Sequence, residues 1–382
     1  VLDLEVASVP VTRLQARRPD AVAGITLRLA EDDAQSVVIR FFDTNGSDIS
    51  EDAQRKVERL FNREDYRRVL PSEIGDIGFP PRALELYAVA LESVVDVEAI
   101  DRAGFKVVVD YSYGSTSFVM ANVFSKLGAE VLAVNPYVST QGVVEFDHDA
   151  HAAQVATLVR ASAAHLGAVI DPSGERITFV DDRGHVLDAN EGLLAMLTLV
   201  RSRIQGDKVA LPVSATMRAG EILGEAGISV LPTKTSSPAL MDASTAPGVG
   251  FAADLAGGFI VPGFLPAFDG AASLVKLLDL LAHQGGALSE IVETLPRIHL
   301  AHERVITPWE QKGMVMRTLV EHSADRQLEL VDGVKVLHDG AWALALPDPE
   351  EPITHIWAEA DTDIAARQLA EEYARRIRQM LR

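Results

Sequence analysis

Apolar and polar positions along the chain follow two alternating periods. Lys106-Val-Val-Val-Asp110 is a short apolar run, Tyr111-Ser-Tyr-Gly-Ser115 a turn, and Phe118, Ala121, Val123, Phe124 and Leu127 recur at helical spacing before Gly128. Glu130-Val-Leu-Ala-Val134 is a second apolar run. A strand, a helix and a strand closed by short turns make a βαβ unit, with parallel strands covered by helices. The pattern then recurs. An Ala-rich helix over 149–165 leads into a strand at 168–170, short strands at 177–180 and 185–187 flank an Asp-Arg-Gly turn, and an apolar helix covers 191–204. A strand at 208–213, a helix at 217–225 and a strand at 227–231 repeat the unit at the same size, followed by helices at 272–284 and 288–294.

The two ends of the chain have a different texture. Strands at 24–29 and 37–42 precede a helix over 51–61 capped by Ser50, then a loop over 62–79 and a helix over 82–94. From Thr307 onward short strands at 328–330, 335–337, 342–346 and 354–359 precede a last helix over 364–382, the pattern of a small α+β domain. The fold class expected is therefore α/β, with three α/β blocks at 1–102, 103–206 and 207–306 and a C-terminal α+β domain at 307–382.

A length of 382 residues agrees with that division, since domains run to ~100–200 residues each. Acidic residues outnumber basic ones and give a net charge of −20, a surface that repels phosphate backbones and anionic lipid. Cysteine is absent, which removes disulfides, thiol nucleophiles and Cys-ligated metals. Residues 248–268 are apolar enough to suggest a membrane span, but five glycines with Pro262 and Pro266 make them a buried, loop-rich core segment. A soluble, cytoplasmic protein that binds neither nucleic acid nor membrane is expected.

Four segments in order resemble the phosphohexomutase superfamily, the phosphoglucomutases and phosphomannomutases. They are Ile39-Arg-Phe-Phe-Asp43 with Asn45-Gly46, Phe105 to Val131, Ala168-Val-Ile-Asp-Pro-Ser-Gly-Glu-Arg176, and Phe268-Asp-Gly270 with residues 342–360. The resemblance spans nearly the whole chain and implies three phosphohexomutase-type α/β domains, the first truncated, and a small fourth domain. It also implies four functional loops, each altered here. The phosphoserine loop T-A-S-H-N-P, whose Ser is a covalent nucleophile, is replaced by residues 27–36, where Ser36 is misplaced and Glu31, Asp32 and Asp33 repel phosphate. No catalytic residue is therefore assigned.

The Mg²⁺ loop D-G-D-x-D-R reads Asp171-Pro-Ser-Gly-Glu-Arg176, so Asp171, Ser173 and Glu175 are the candidate metal ligands, a vestigial set that holds Mg²⁺ only weakly. A turn with solvated acids is the competing reading. Arg176 matches the family's Arg as a substrate-binding candidate. In the sugar-specificity loop, Asp254 takes the place of the family's Glu with a one-residue shift, beside apolar Leu255, Ala256 and Phe259. The phosphate loop R-P-S-G-T-E-P becomes Leu346-Pro-Asp-Pro-Glu-Glu-Pro352, which reverses its charge. Elsewhere, His148 and His151 could ligate a metal, though an N-cap by Asp147 or Asp149 explains that stretch better.

A Val at position 1, a truncated first domain and four altered loops are similar to the C-terminal part of bacterial fusions in which a mannose-1-phosphate guanylyltransferase-like domain comes first. The expectation is a mutase-like region without mutase activity that serves assembly or regulation of an attached nucleotidyltransferase in nucleotide-sugar metabolism. The alternatives are an active phosphomannomutase or phosphoglucomutase with divergent loops, and a non-catalytic sugar-phosphate sensor. The partners expected are that attached domain, a sugar phosphate and a second copy in a homo-oligomer. No cofactor other than weakly held Mg²⁺ is implied.

Overall fold

The computed structural model describes residues 1–30, 35–64, 67–138 and 146–381. Glu31, Asp32 and Asp33, expected beside the first hairpin, lie outside the described residues. The first unit opens with helix α1 (Val9–Ala16), which has Pro10 in its first turn, where a missing N–H costs nothing. An antiparallel hairpin of β1 (Gly24–Leu29) and β2 (Val37–Phe42) follows, then α2 (Glu51–Asn62), α3 (Ala83–Glu92) and α4 (Val97–Ala103). The Ser50 hydroxyl accepts from Ala53 N at the start of α2, as its sequence suggests. Side chains alternate along the hairpin. Thr26 and Arg28 share the inner face with Arg40, while Ile25, Leu27 and Leu29 pair with Phe41, Ile39 and Val37 on an apolar face that is largely exposed. Helix α2 has no buried residue.

The second unit contains β3 (Lys106–Asp110), α5 (Ser117–Lys126), β4 (Glu130–Val134), α6 (His148–Ser162), β5 (Leu166–Ile170), β6 (Ile177–Val180) and α7 (Ala189–Val200). Its sheet order is β4-β3-β5-β6, with β3 parallel to β4 and β5, and β6 antiparallel at the edge. The third contains β7 (Lys208–Pro212), α8 (Met217–Gly224), β8 (Ser229–Thr233), α9 (Ser237–Ser244), β9 (Val249–Ala253), β10 (Phe259–Ile260), α10 (Gly270–Gln284) and α11 (Leu288–Thr294). Its order, β10-β9-β7-β8, repeats the same plan with an antiparallel last strand. The stretch 248–268 is thus the buried core expected, but with two strands in it. No helix among the described residues is long and apolar enough to cross a membrane.

One apolar core runs through the second and third units, and α10 lies inside it. Eleven of its fifteen residues are buried, so most of this helix is enclosed, and its Lys276 and Asp279 pair with each other where it meets a cleft. Asp269 starts it. One carboxylate oxygen accepts from Ala272 N at 2.9 Å and the other from the Tyr87 hydroxyl of α3 at 2.6 Å, which ties the first unit to the central helix.

The fourth unit consists of β11 (Leu300–Ile306), α12 (Trp309–His322), β12 (Leu328–Glu329), β13 (Val334–His338), β14 (Ala341–Pro347), β15 (Ile353–Glu359) and α13 (Asp363–Met380). Its sheet is fully antiparallel in the order β11-β15-β14-β13-β12. The expected boundary at 307 needs correction, because β11 pairs with β15 along its whole length and so belongs to this unit. The unit has its own core and meets the third unit through Trp342, Leu344 and Val213. Buried Glu359 closes that junction, accepting from the Trp342 indole N–H at 2.8 Å, from Met217 N at 2.9 Å and from the Thr216 hydroxyl.

Glu359→Ala leaves three donors of this junction unpaired, so a loss of about 3 kcal/mol is expected. Urea titration followed by tryptophan fluorescence, with Trp342 as the buried reporter, reads it as a lower midpoint. Burial pushes the Asp269 carboxyl up to about 7, against its hydrogen bonds from Ala272 and Tyr87. The folded state then binds more protons than the unfolded chain between about pH 4 and 7. The contribution of Asp269 to stability is full below that window and is lost as pH rises through it, by up to about 4 kcal/mol. Subtracting the pH profile of Asp269→Asn from that of the unaltered chain should isolate this downward slope.

Candidate functional site

The loop between β5 and β6 is organised by Asp171. Its Oδ1 accepts from Glu175 N at 2.8 Å and Arg176 N at 3.1 Å, and its Oδ2 accepts from the Ser173 hydroxyl. Gly174 sits at φ +81°, and a Cβ there would lie 2.5 Å from Thr116 Oγ1, so this turn requires glycine. Helix α1 closes over it, with Val9 N donating to Ser173 O at 3.1 Å. Burial pushes the Asp171 carboxyl up, and Glu175 adds to that.

Glu175 points from this loop into the first unit. Its Oε1 accepts from Arg13 Nη2 at 2.8 Å and Arg13 Nε at 3.2 Å, and its Oε2 accepts from Arg40 Nη1. Both guanidiniums also bond Asp48, and Arg13 donates to Gly46 O at 2.9 Å. The Arg13 side chain is fully buried and lies over the Phe42 ring, 4.2 Å from its centroid. Burial pushes the Glu175 carboxyl up, but the two arginines outweigh it and hold it below its usual range.

Arg176 turns the other way, to the third unit. It bonds Asp254 Oδ2 through Nη2 at 3.0 Å and Nε at 3.2 Å, above the Phe268 ring. Asp254 Oδ1 in turn accepts from Ala256 N and Gly258 N, so this carboxylate shapes its own loop while pairing with the arginine. The structure brings the two substrate-binding candidates together, and Phe259 beside them is buried.

A cleft of about 410 Å³ opens where these loops meet the hairpin. Thr26, Arg28 and Arg40 line it from the first unit, Asp171, Ser173 and Arg176 from the second, and Ala256 from the third. Arg28 makes no ion pair among the described residues, and the buried Thr26 hydroxyl is without a partner. Ser36 lies past the end of β1, where its carbonyl accepts from Ala30 N. None of the lining residues comes from the fourth unit. There the Asp348 carboxylate accepts from Glu350 N and Glu351 N, each at 2.7 Å, and bonds His355 at 3.0 Å. The His355 bond first, then those two amides, lower its pKa to about 2. Lys312 Nζ donates to the carbonyls of Asp348 and Glu351.

The three metal-ligand candidates do not suit a hard divalent cation. Glu175 has both oxygens on guanidiniums, both Asp171 oxygens accept from the loop itself, and the Ser173 hydroxyl donates to Asp171. A six-oxygen shell needs free lone pairs that this arrangement has committed elsewhere, and no group of three or more His, Asp or Glu among the described residues is placed to hold an ion. Asp147 caps α6 through Ala150 N, His151 bonds Asp110, and His148 bonds Thr178. Arg13, Arg28 and Arg40 were not among the sequence candidates. The local signals available were Pro10 opening a helix and the basic residues alternating with apolar ones on two adjacent strands.

Two family models match successive parts of the chain, the phosphoglucomutase/phosphomannomutase α/β/α domain II over residues 85–184 and domain III over residues 190–298. A probable phosphoglucosamine mutase of Methanopyrus kandleri is 28% identical over 99% of this chain and 84% of its own length. A phosphoglucomutase/phosphomannomutase family protein of Burkholderia thailandensis superposes with a TM-score of 0.81 at 19% identity, covering 99% of this chain and 82% of that one. The N-acetylphosphoglucosamine mutase of Aspergillus fumigatus, solved with GlcNAc-6P and magnesium, gives 0.61 at 13% identity, with 98% and 91% covered. With an α/β fold of this topology and a cleft at the meeting of its units, the chain belongs to the phosphohexomutase superfamily. None of these three names mentions a nucleotidyltransferase, so the attached domain expected from the sequence has no support among them.

Removing the Glu175 carboxylate leaves Arg13 and Arg40 with Asp48 as the one acid they share. Glu175→Ala is expected to cost about 3–5 kcal/mol, and Glu175→Gln less, because the amide still accepts from one arginine. Calorimetric melting of the two variants beside the unaltered chain gives the comparison.

Proposed function

We propose that the chain binds a hexose phosphate in this cleft and does so without passing a phosphoryl group through a serine of its own. The observation that carries the reading is the convergence of Arg28, Arg40 and Arg176 on a cleft of about 410 Å³, a size within the range of small-molecule sites. Guanidiniums match the oxygens of a phosphate monoester, and the unpartnered Thr26 hydroxyl is suited to a sugar hydroxyl. The likeness to relatives named for hexosamine and hexose phosphates supports that ligand class. Against transfer stands the chemistry of the hydroxyls lining the cleft. Ser173 is bonded to Asp171 and Thr178 to His148, which leaves Thr26 on a strand with no base beside it in the hydrogen bonds described.

An active mutase is the second reading, favoured by full-length likeness to proteins named as mutases. Thr26 or Ser36 would then carry the phosphoryl group. Incubation with glucose 1,6-bisphosphate and mass analysis of those two peptides separates the readings, since binding alone leaves both unmodified.

Glucosamine 6-phosphate, glucose 6-phosphate and mannose 1-phosphate should each be tried by titration calorimetry and thermal melting. At a hundredfold excess over Kd, a bound ligand stabilises the native state by about 2.7 kcal/mol. Arg176→Ala should weaken binding roughly tenfold or more, through loss of a charged hydrogen-bond donor. Absence of heat and of any melting shift with all three ligands at millimolar concentration would reject the binding reading.

A further inference from the structure

The superfamily's metal loop survives here in outline, yet Glu175 is committed to two arginines and Asp171 to its own loop. We propose that the Arg13–Arg40 pair, held on Glu175 and Asp48, takes the place of the divalent cation, so that the cleft holds the phosphate of a hexose phosphate without metal. The ligand half of this inference rests on the reading above; the metal half does not.

Charge supports the substitution. Glu175 and Asp48 are both shared by the two guanidiniums, so two fixed positive charges stand beside the loop where the family has one dication. The geometry is built and not incidental. Arg13 is fixed by four partners: Glu175, Asp48, Gly46 O and the Phe42 ring. Gly46 itself is at φ +81°, where a Cβ would come within 2.7 Å of Arg13 O, so the backbone approaches the arginine as closely as it can. Arg40 is the outer member of the pair. Its side chain keeps 27% of its exposure and lines the cleft, sharing the inner face of the hairpin with Arg28. A guanidinium keeps its charge at any physiological pH and offers five donors in a planar fork. Three hydrogen bonds from Nη1 and Nη2 of Arg40 serve Glu175 and Asp48, and its remaining N–H groups are left to meet an anion.

The substitution also changes what joins the units. Arg13 and Arg40 belong to the first unit and Glu175 to the second, so the cationic centre is at once a cross-link and a ligand surface. A metal at this place would exchange with solvent. An arginine stays.

The test uses the full chain. Manganese titration followed by electron paramagnetic resonance should show no stoichiometric binding, and calorimetry with glucosamine 6-phosphate should give the same affinity in EDTA as in magnesium, within about twofold. Arg40→Met should weaken the ligand by roughly tenfold or more, with Arg40→Lys in between, because a lysine keeps charge but loses the fork. One equivalent of manganese bound at micromolar concentration, or loss of ligand binding in EDTA, overturns the inference. If the sugar phosphate fails to bind under either condition, the hexose-phosphate reading and the ligand half fail together. The manganese titration still decides the metal half. Both measurements on the unaltered chain stand even if an Arg40 variant does not fold.

Discussion

A fully buried guanidinium is among the most demanding groups a protein can contain, since it must be met by opposite charge and by acceptors on every donor. Arg13 is met by Glu175 from the second unit, Asp48 and Gly46 from the first, and an aromatic face. Much of the surrounding construction serves that arrangement. Asp171 folds the loop that presents Glu175, Gly174 permits its turn, and α1 lies across it with Val9 bonded to Ser173. The hairpin is placed by the same cluster through Arg40, which turns its inner face toward the cleft. Position and charge at the cleft thus share one origin.

Behind this cluster stand two sheets of identical plan with one buried helix in the core they share. Because most of α10 is buried in the core that the second and third units share, the loops at 171–176 and 254–258 are held in fixed relation. Arg176 and Asp254 bridge them directly, and Gly270 N, at the start of α10, donates to Gly174 O. The fourth unit is joined differently, by a small apolar patch and the buried Glu359, and contributes nothing to the lining of the cleft among the described residues.

The parts of the fold with strong local periodicity were legible in the sequence. β3, α5 and β4 stand where the apolar run, the helical spacing and Gly128 place them, and the repeated unit emerges as two sheets of one topology. What escaped had weak periodicity. β11 reads Leu-Ala-His-Glu-Arg-Val-Ile, with three polar residues in a row at its centre, and its strand identity comes from pairing with β15 some fifty residues later. α1 is short and its pattern is interrupted by Arg13 and Gln15, both buried for tertiary reasons. The site divides in the same way. Asp171, Glu175 and Arg176 were visible because they sit in one short motif. Arg13 and Arg40 were not, because their partner lies 162 and 135 residues away, and no local pattern encodes such a pairing.

The bonds that seat α1 also set an order of events. Arg13 waits for Glu175, and Arg17 for the carbonyl of Phe264, 247 residues further on. Since a chain is synthesised from its amino end, α1 leaves the ribosome long before any of these partners exists. A segment made earlier than its partners is therefore seated late, and during synthesis it has to be kept from other company.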